Sequence, residues 1–500
     1  MNMSRIAIID IGSNSARVVV FERDASGHLR LLAGSRAPLR FVRDVDERAQ
    51  LTETTMARAM EALRDFKAIA TGRGVARITA VATAAMRDAG NGRQFAARVY
   101  RELGIRIGII DGRREALYGF NGAVRGLDVD DGLVFDVGGG SMQLTRFERR
   151  RVRASTSLPF GALRLTGRFL TSDPPTRKQM RHLRDHVRRG LEKARVRKLR
   201  AGEWLVGTGG TMRNLAKIDQ QARDYAIART HGYELSAEAL SDVLDRLART
   251  AEKRRDDIAG LSAERADSIV GGAVAIHTLA DFVGARGILV SGQGMREGVA
   301  LRLFDMPMTS AAVVKEAALS SLVSRFDGWR ADAAARRRAV AATLLQVLEP
   351  DTPTPLANAL DDAARALDVG RSLDVVNRHD HLADMLLIAD VNGISHQELA
   401  FASAIARRAG DRHADVPRIA AARETSARGL LDRLAIILAL ADEIEARCPP
   451  GRPISISSTV DRHVRLRIPA LQSWLVKDLD KRFERAFGRR LIVSGAQERG

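Results

Sequence analysis

The stretch Asp10-Ile-Gly-Ser-Asn-Ser (residues 10–15), which directly follows the apolar run Ile6–Ile9, decides the fold class. The stretch Asp136-Val-Gly-Gly-Gly-Ser (residues 136–141) repeats this pattern after another short apolar run. Glycine lets the backbone turn tightly and approach a ligand closely. The next N–H groups and the Ser and Asn side chains can then bind phosphate. Two such turns, each led by an Asp at a strand end, predict two α/β layouts in tandem and a phosphate ligand.

Strand and helix patterns alternate over about the first three hundred residues. Met56, Met60 and Leu63 recur at helical spacing and predict a helix. One apolar run that starts at Ile78 and a later one that ends at Asp111 each predict a strand. Ala/Leu/Arg-rich helical patterns dominate after about residue 303, and residues 454–469 alternate as a hairpin would. We expect four domains. Residues 1–124 and 125–302 form the two α/β halves, residues 303–448 a helical domain, and residues 449–500 a small α+β tail.

Composition limits the partners and the compartment. The 500 residues include 80 Lys and Arg against 61 Asp and Glu, a formal charge of +19 that predicts an anionic partner. A lone Cys448 excludes a disulfide framework and a cysteine-rich zinc site. The apolar runs are too short to cross a membrane, and residues 1–15 lack a signal-peptide pattern. We therefore expect a reducing cytoplasm and no membrane partner.

A third glycine turn, Gly207-Thr-Gly-Gly-Thr (residues 207–211), follows the apolar strand pattern at residues 204–206. The chain contains neither a Walker A pattern nor a GxGxxG after a strand, so P-loop and Rossmann folds lack support. Carboxylates beside phosphate-binding turns suit a hydrated Mg²⁺. The layout resembles the actin, sugar-kinase and heat-shock ATPase superfamily, which implies two actin-like (ribonuclease H-like) α/β halves that flank a cleft.

Within that superfamily the chain resembles the exopolyphosphatase and guanosine pentaphosphate phosphohydrolase family. The resemblance covers roughly the first three hundred residues, in the family's order. The Ser-Asn-Ser turn separates this family from sugar kinases and heat-shock ATPases, whose first turn usually has Thr after the Gly. The matching segments are Asp10–Arg17, Val81–Asn91, Asp111–Ala123, Asp136–Leu144, Ser157–Leu165, Gly207–Ala216, Gly260–Ala273 and Val290–Gly298.

The resemblance implies roles for single residues. Glu115 matches the catalytic glutamate that orients or deprotonates the attacking water, although a Glu at a helix start can also simply favour the helix dipole. Asp136 matches a catalytic and metal-binding aspartate, and Asp10 and Gln143 complete the implied metal set. The implied phosphate-binding residues are Ser13, Asn14, Ser15, Arg87, Gly138, Gly139, Gly140, Ser141, Gly207, Thr208, Gly209, Gly210 and Thr211. Arg265 and Asp267 match an Arg-Ala-Asp motif, for which we favour an internal ion pair, and Arg296 and Glu297 are expected to be structural.

Two departures from the family change the expected charge of the cleft. The family commonly has Glu where this chain has Gln143, and it often has an acid where this chain has Arg114. Gln143 can coordinate through its carbonyl oxygen but carries no negative charge. Both changes are expected to favour a highly charged anion and to weaken Mg²⁺ binding.

The helical part resembles the HD-like domain of long family members. Leu367-Asp368 replaces the usual His-acid pair, so His379, His381 and His396 are expected to be surface or packing residues rather than metal ligands. We therefore expect no second active site in the helical domain. We expect this domain to have a structural or substrate-channel role.

Basic runs are the last feature. Residues 176–200 carry eleven Lys and Arg against two acids, and Arg336–Arg338 and the segment from Lys477 add further positive charge. Each run alone is typical of a solvated helix face, but several of them beside a phosphate-binding cleft favour a track for a long polyanion. With aromatic residues at only 4% of the chain, nucleic acid is not expected as a partner.

These observations predict an exopolyphosphatase that hydrolyses terminal phosphate from inorganic polyphosphate with Mg²⁺, processively and as a homodimer, the last on the family resemblance alone. A guanosine pentaphosphate phosphohydrolase on the same scaffold and a non-catalytic polyphosphate or nucleotide sensor remain open. A sugar kinase or ATPase is disfavoured by the Ser-Asn-Ser turn.

Overall fold

The computed structural model describes residues 4–75, 77–410, 425–447, 455–458, 463–467 and 478–494.

An antiparallel hairpin organises the first sheet. Strand β1 pairs with β2 through the first glycine turn, and the sheet order is β3-β2-β1-β4-β5, with β4 and β5 parallel to β1. The bounds are β1 Arg5–Ile11, β2 Ser15–Arg23, β3 Leu29–Pro38, β4 Ile78–Ala82 and β5 Ile107–Ile109, with helices α1 Phe41–Arg48, α2 Glu53–Gly72, α3 Ala84–Asp88, α4 Gly92–Leu103 and α5 Gly112–Arg125.

The second sheet has the order β10-β11-β9-β6-β7-β8. Its strands are β6 Gly132–Val137, β7 Met142–Glu148, β8 Arg151–Leu158, β9 Trp204–Thr208, β10 Tyr233–Ser236 and β11 Gly287–Val290. The helices of this part are α6 Ala162–Phe169, α7 Arg177–Lys193, α8 Gly209–Ala222, α9 Ala237–Arg249, α10 Ile269–Val283 and α11 Met295–Leu303, with 3-10 turns at Glu252–Asp257 and Ala263–Arg265.

The two sheets share one topology. The strand order β3-β2-β1-β4-β5 of the first sheet corresponds to β8-β7-β6-β9-β11 of the second, and β10 is added at the edge. In both sheets the first two pairings are antiparallel and the next two are parallel. The internal repeat predicted from the two Asp-Gly turns is therefore confirmed, and with it an α/β core of two similar halves.

Strand β1 is continuously apolar from Ile6 to Ile9 because both of its faces are covered there. Ala7 and Ile9 pack in a core with α2 and α4, while Ile6 and Ile8 pack in a second core with residues 299–306 from α11 onward. A strand buried on both faces has a continuous apolar run rather than an alternating one. The run Ile6–Ile9 therefore fixes the central strand of the first sheet.

Glycines bring helices α5 and α11 into very close contact. A Cβ built on Gly122 would lie 1.8 Å from the carbonyl oxygen of Gly294, and one built on Gly298 would lie 1.9 Å from the carbonyl oxygen of Tyr118. Backbones can approach so closely only where the side chain is absent. Because α5 begins close to Glu115 and α11 close to Arg296, this contact sets the distance between those two side chains.

The chain forms two compact units, residues 1–224 with 229–318 and residues 225–228 with 319–500, called the first and second unit below. The four-domain division predicted from the sequence is finer than these units and stays a prediction. The remaining elements are α12 Ala311–Val323, α13 Ala331–Leu348, α14 Thr354–Ala366, a 3-10 turn Leu367–Ser372, α15 Arg378–Ile388, α16 His396–Ala409, α17 Thr425–Arg447, β12 Ser455–Ser458, β13 His463–Arg467, α18 Leu479–Phe487 and β14 Arg490–Ser494.

The predicted C-terminal hairpin matches the antiparallel pair β12 and β13, and β14 adds to β13 in parallel. Residues 459–462, which follow β12 in the sequence, and Cys448 lie outside the described residues. The HD-like character of the helical part stays a prediction. None of the helices within the described ranges has both the length and the apolar character that crossing a bilayer requires.

Candidate active site

The two Asp-Gly turns have the same local structure and lie face to face within the first unit. The N–H of Gly12 donates to the carbonyl of Ser15 at 3.0 Å, and the N–H of Gly138 donates to the carbonyl of Ser141 at 2.9 Å. A Cβ built on Gly139 would lie 3.3 Å from the Cβ of Asn14. A side chain at position 139 would therefore be in tight contact with the first turn.

The third glycine segment differs from the other two, because it joins a strand to a helix. Strand β9 continues to Thr208, and α8 begins at Gly209 with a φ of +88°. A Cβ on Gly209 would lie 2.0 Å from Oδ1 of Asp136. Glycine is thus required here by its backbone conformation and by its neighbour. As a consequence the Asp136 carboxylate lies against the N-terminus of α8, where the helix dipole favours a negative charge.

Glu115 lies in the first turns of α5, a helix that starts where the Asp111 side chain accepts a hydrogen bond from the N–H of Arg114 at 2.8 Å. The Glu115 side chain is 15% exposed, and the guanidinium of Arg87 lies 3.5 Å from it. Its Oε2 is buried and has no hydrogen-bond partner. Burial raises the pKa of Glu115 to about 7, Arg87 opposes the rise, and Asp136 and Asp10 add to it. The side chain is therefore no ordinary solvated helix-start glutamate.

Asp10 and Asp136 occupy equivalent positions in the two halves. Asp10 pairs across its hairpin with Arg17, and Asp136 pairs across its own hairpin with Gln143. Burial raises the pKa of Asp10 to about 6 against the opposing influence of Arg296 and Arg17. Burial also raises the pKa of Asp136, which Arg213 and Arg265 lower. Such shifted carboxyl groups are common at functional sites.

Four arginines line the same cavity, called the cleft below: Arg17, Arg213, Arg265 and Arg296. Burial, and then the neighbouring arginines, lower the pKa of Arg17, Arg213 and Arg265 to about 10 each. Arg296 is loosely paired with Asp10 at 4.0 Å. Buried cations held this close together repel one another, so an anion with several charges would bind favourably among them.

Two of these arginines correct expectations from the sequence. Arg265 donates to Oγ1 of Thr211 at 3.2 Å and lines the cleft, while Asp267 pairs with Arg40 and Arg43 of the first half. The internal Arg265–Asp267 pair favoured above is therefore wrong. Arg296 also faces the cleft, whereas its neighbour Glu297 accepts a hydrogen bond from the N–H of Gly294 at 2.7 Å and so caps α11. Only Glu297 has the purely structural role that was expected for both residues.

The cleft gathers most of the residues proposed from the sequence. Those that line it are Asp10, Ser13, Asn14, Ser15, Glu115, Asp136, Gly138, Gly139, Ser141, Gln143, Thr208, Gly209 and Gly210. Arg87 is not a lining residue, but its guanidinium lies 3.5 Å from the Glu115 carboxylate, which does line the cleft. Gly140, Gly207 and Thr211 are not among the lining residues and support it from behind; the Thr211 hydroxyl, for example, donates to the carbonyl of Val137 at 3.1 Å. Arg114 is exposed and is not a lining residue, so the added cation expected beside the cleft lies outside it.

Two oxygen-bearing side chains beside the second turn could contribute to binding a divalent cation. Gln143 Oε1 is buried without a hydrogen-bond partner, and Gln143 stands directly across the hairpin from Asp136. Among the described residues, no group of three or more His, Cys, Asp or Glu side chains is arranged to hold a metal ion. The residues present therefore fit a cation that takes its other ligands from water and from phosphate oxygens.

The second unit uses its charged residues differently. Arg337 is fully buried, with Asp368 at 2.6 Å and Asp442 at 2.8 Å, and Arg378 lies 2.9 Å from Asp368. Arg336 pairs with Asp332 at 3.2 Å and Arg338 with Asp361 at 2.7 Å. The run Arg336–Arg338 is therefore not the free basic surface that the sequence suggested. His396 is buried and His379 packs against Gly410.

Sequence reasoning did not assign Arg17 or Arg213 to the site. Arg17 could have been found from the repeat, because it stands seven residues after Asp10 just as Gln143 stands seven residues after Asp136. Directly paired residues of two antiparallel strands share a face of the sheet. Arg213 lies one helical turn after Gly209 in α8, a position that predicts nearness to the glycine segment once the helix start is known.

Comparison with known proteins gives one consistent result. Residues 19–306 match the model of the Ppx/GppA phosphatase family. Exopolyphosphatase 1 of Mycobacterium leprae (strain TN) is 30% identical over 315 residues, which cover 62% of this chain and 93% of that protein. Exopolyphosphatase 2 of Mycobacterium tuberculosis (strain ATCC 25618 / H37Rv) is 33% identical over 318 residues, which cover 61% of this chain and 99% of that protein.

Solved structures agree with the sequence matches. The crystal structure of the Aquifex aeolicus member of the Ppx/GppA family is 28% identical with a TM-score of 0.53, over 60% of this chain and 97% of that chain. An exopolyphosphatase from Cytophaga hutchinsonii ATCC 33406 is 26% identical with a TM-score of 0.56, over 60% of this chain and 98% of that chain.

Proposed function

The chain belongs to the Ppx/GppA phosphatase family, and from that membership we propose that it is an exopolyphosphatase, a phosphoanhydride hydrolase that removes the terminal phosphate of inorganic polyphosphate. The observation that carries the proposal is Glu115. Its carboxyl group has a buried oxygen that accepts no hydrogen bond, with the Arg87 guanidinium 3.5 Å away, and its pKa is raised to about 7, in a cleft lined by four arginines. The two mycobacterial relatives described above are themselves named exopolyphosphatases, which supports this assignment.

Glu115 would position the attacking water and accept its proton. The water oxygen forms a bond to the terminal phosphorus as the bond from that phosphorus to the bridging oxygen breaks. Because the pKa of Glu115 lies near neutrality, the carboxylate can take the proton at little cost at neutral pH. Arg87, 3.5 Å away, holds this side chain and would favour its charged form.

The arginines and the glycine turns would bind the terminal phosphates. The transition state of phosphoryl transfer spreads negative charge over the transferred group and the leaving oxygen. Arg17, Arg213, Arg265 and Arg296 line the cleft and are already held by the fold, so they would stabilise this charge as it develops. The turn residues Ser13, Asn14, Gly139 and Ser141 would add hydrogen bonds to the phosphate oxygens.

A divalent cation, Mg²⁺ in our proposal, would be held by Asp136 and Gln143, with Asp10 close by. When bound, it would neutralise charge on the phosphate oxygens. Gln143 contributes an oxygen but no charge, so the site depends on the substrate for its remaining negative ligands. A polyphosphate carries such oxygens on every unit of the chain.

Helix α7 offers a surface for the rest of the polymer. Arg181, Arg184, Arg188 and Arg189 on this helix are exposed. A long polyanion gains from such a surface, whereas a nucleotide needs only a local cluster of charge. We propose on this ground that the enzyme acts processively and prefers polyphosphate over guanosine pentaphosphate.

The test is phosphate release from long-chain polyphosphate, guanosine pentaphosphate and ATP in the presence of Mg²⁺. We expect polyphosphate to be hydrolysed fastest, and Glu115→Gln to lower that rate about 10³-fold, since a positioned general base contributes roughly 10² to 10⁴. Glu238→Gln, at an exposed glutamate in the first turn of α9, is the matched control and should keep full activity. Processive action should leave long chains and free phosphate, with few intermediate lengths on a gel.

Each alternative has its own outcome. Faster release from guanosine pentaphosphate would favour the rival phosphohydrolase, and tight binding of polyphosphate without release from any substrate would favour a sensor. Full activity of Glu115→Gln would remove the assigned role of Glu115. A homodimer and a cytoplasmic location stay predictions, which sedimentation of the purified chain and cell fractionation would test.

A further inference from the structure

A second cavity of the first unit lies on the opposite face of the strands that form the cleft. Asp136 and Gln143 line the cleft, whereas Leu133, Leu144 and Arg146 line this second cavity, called the groove below. Successive side chains of a strand point to opposite faces of the sheet. The alternation along β6 and β7 therefore gives the first unit two separate sites, one on each face of the same two strands.

The far wall of the groove is the loop of residues 194–203 between α7 and β9, and it is firmly held. The Arg146 guanidinium donates to the carbonyl of Lys198 at 3.3 Å and also pairs with Glu203. The N–H of Leu199 donates to the carbonyl of Val283 at 2.9 Å. The groove is thus preformed, with a volume of about 630 Å³, which lies within the range of small-molecule sites.

Positive charge surrounds the groove in excess. Five arginines line it against the single glutamate Glu148, which is shared by Arg153 at 3.2 Å and Arg200 at 3.5 Å. Arg195 and Arg197 are exposed, and within the described part of the chain neither has a carboxylate partner. Guanidinium groups of this kind bind phosphate through paired N–H donors.

The floor of the groove is apolar. Leu133 is 4% exposed and Leu144 is 2% exposed, and Val196 and Ala154 complete this surface. An inorganic phosphate chain has no apolar part to cover such a floor. A nucleoside has a flat base that can lie on aliphatic side chains and stack against guanidinium planes.

We propose that the groove binds a nucleotide that carries several phosphates, with its base on the apolar floor and its phosphates at Arg195 and Arg197. The site is separate from the cleft and does not depend on the activity proposed for it. Because β6 and β7 carry side chains of both sites, an occupied groove can influence the cleft through these strands.

The test compares ATP with inorganic tripolyphosphate, which has the same number of phosphates but no nucleoside. Binding is measured by calorimetry on the full chain that carries Glu115→Gln, which is expected to slow turnover about 10³-fold. Arg195→Glu with Arg197→Glu removes the cations, and Ala154→Trp fills the floor without a change of charge. Arg93→Glu with Arg101→Glu, on exposed positions of α4 away from both cavities, controls for the overall change of charge.

We expect the affinity for ATP to fall at least tenfold in the arginine variant and in Ala154→Trp, and to stay unchanged in the α4 control. Tripolyphosphate binding should be unaffected by Ala154→Trp. Unchanged ATP affinity in both groove variants would overturn the proposal. An equal loss of tripolyphosphate and ATP in Ala154→Trp would overturn the nucleotide assignment and leave an inorganic chain as the ligand. Polyphosphate hydrolysis, measured with Glu115 intact, reports on the cleft independently of these outcomes.

Discussion

Buried carboxylates and arginines occur together in both units, but they are arranged in opposite ways. In the cleft the pairs are loose, with Arg296 at 4.0 Å from Asp10 and Arg87 at 3.5 Å from Glu115. In the second unit Arg337, Arg378, Asp368, Asp442 and Glu445 form what we call the arginine cluster, where Arg337 lies 2.6 Å from Asp368 and 2.8 Å from Asp442. The same residue types are thus left short of partners in one place and saturated in the other.

The pKa directions follow this difference. In the cleft, burial raises the pKa of Asp10 to about 6 and that of Glu115 to about 7, because the opposite charges nearby do not compensate for it. In the arginine cluster, burial also opposes the charge of Asp368, but the Arg337 charge and the hydrogen bonds donated by Arg337 and Arg371 hold the pKa of Asp368 below its usual value. Unbalanced charge therefore marks the place where a ligand completes the site, and balanced charge marks the place where the fold is held.

The largest expected effect comes from removing one arginine from the arginine cluster, in which every charge is paired. Arg337→Met should leave Asp368 and Asp442 buried with fewer partners, and removal of one member of a buried ion pair costs about 3–5 kcal/mol of stability. We expect the free energy of unfolding of the second unit to fall by that amount. Hydrogen exchange of the amides in α13, α14 and α17 measures this unit without requiring the whole chain to unfold in one step.

Arg338→Met, one residue further along α13, is the matched control. Arg338 is 38% exposed and pairs with Asp361 at 2.7 Å. An exposed pair of this kind is worth roughly 0–1 kcal/mol. Equal losses in the two variants would mean that burial does not distinguish the arginine cluster from a surface ion pair, and the contrast with the cleft would fail.

His379 extends the comparison to pH, and the expected effect is smaller. Burial and then Arg378 lower the pKa of His379 to about 4. Between that pH and its usual value of about 6.5 the unfolded chain binds a proton that the folded chain does not, so stability is complete above pH 6.5 and falls as the pH drops. We expect the second unit to lose on the order of 2 kcal/mol between pH 7.5 and pH 5 through this group.

His379→Gln should flatten this part of the pH profile, measured as the hydrogen-exchange stability of α15 at both pH values. His381→Gln removes an imidazole from the same helix as a control and should leave the profile as it is in the unaltered protein. A profile that stays equally steep in His379→Gln would show that other groups of the second unit cause it.

The sequence predicted the parts of the cleft that are local and missed those that come from distant segments. The turns after Asp10 and Asp136 are defined by a few adjacent residues, so their pattern could be recognised directly. Arg213, Arg265 and Arg296 enter the cleft only because the second sheet and the contact between α5 and α11 bring their segments together. A single arginine in a sequence does not indicate which distant segments the fold will bring next to it.

The arginine cluster shows the same limit in the second unit. The missing His before Asp368 was visible in the sequence, but the run Arg336–Arg338 was interpreted as basic surface. Arg337 is fully buried because Asp368 and Asp442, from the 3-10 turn after α14 and from α17, reach it from two sides. Charge counts along a chain cannot distinguish a buried, neutralised arginine from a solvated one.

Gln143→Glu would change the charge of the cleft, and it has the smallest expected effect of these substitutions. The new carboxylate would stand across the hairpin from Asp136 and would add one negative ligand to the cleft. Affinity for a divalent cation rises with the number of charged ligands. We therefore expect the Mg²⁺ concentration for half-maximal phosphate release to fall about tenfold, an effect of about 1.4 kcal/mol.

Without the cation, the same change places two buried like charges side by side, so the melting temperature of Gln143→Glu should be lower than that of the unaltered protein in EDTA and should recover in Mg²⁺. Gln94→Glu, at an exposed position of α4, makes the same substitution away from the cleft and should change neither quantity. A lower melting temperature that Mg²⁺ does not restore, with an unchanged Mg²⁺ requirement, would mean that position 143 does not contact the cation. The charge on the phosphate oxygens would then be neutralised at this place by the arginines of the cleft alone.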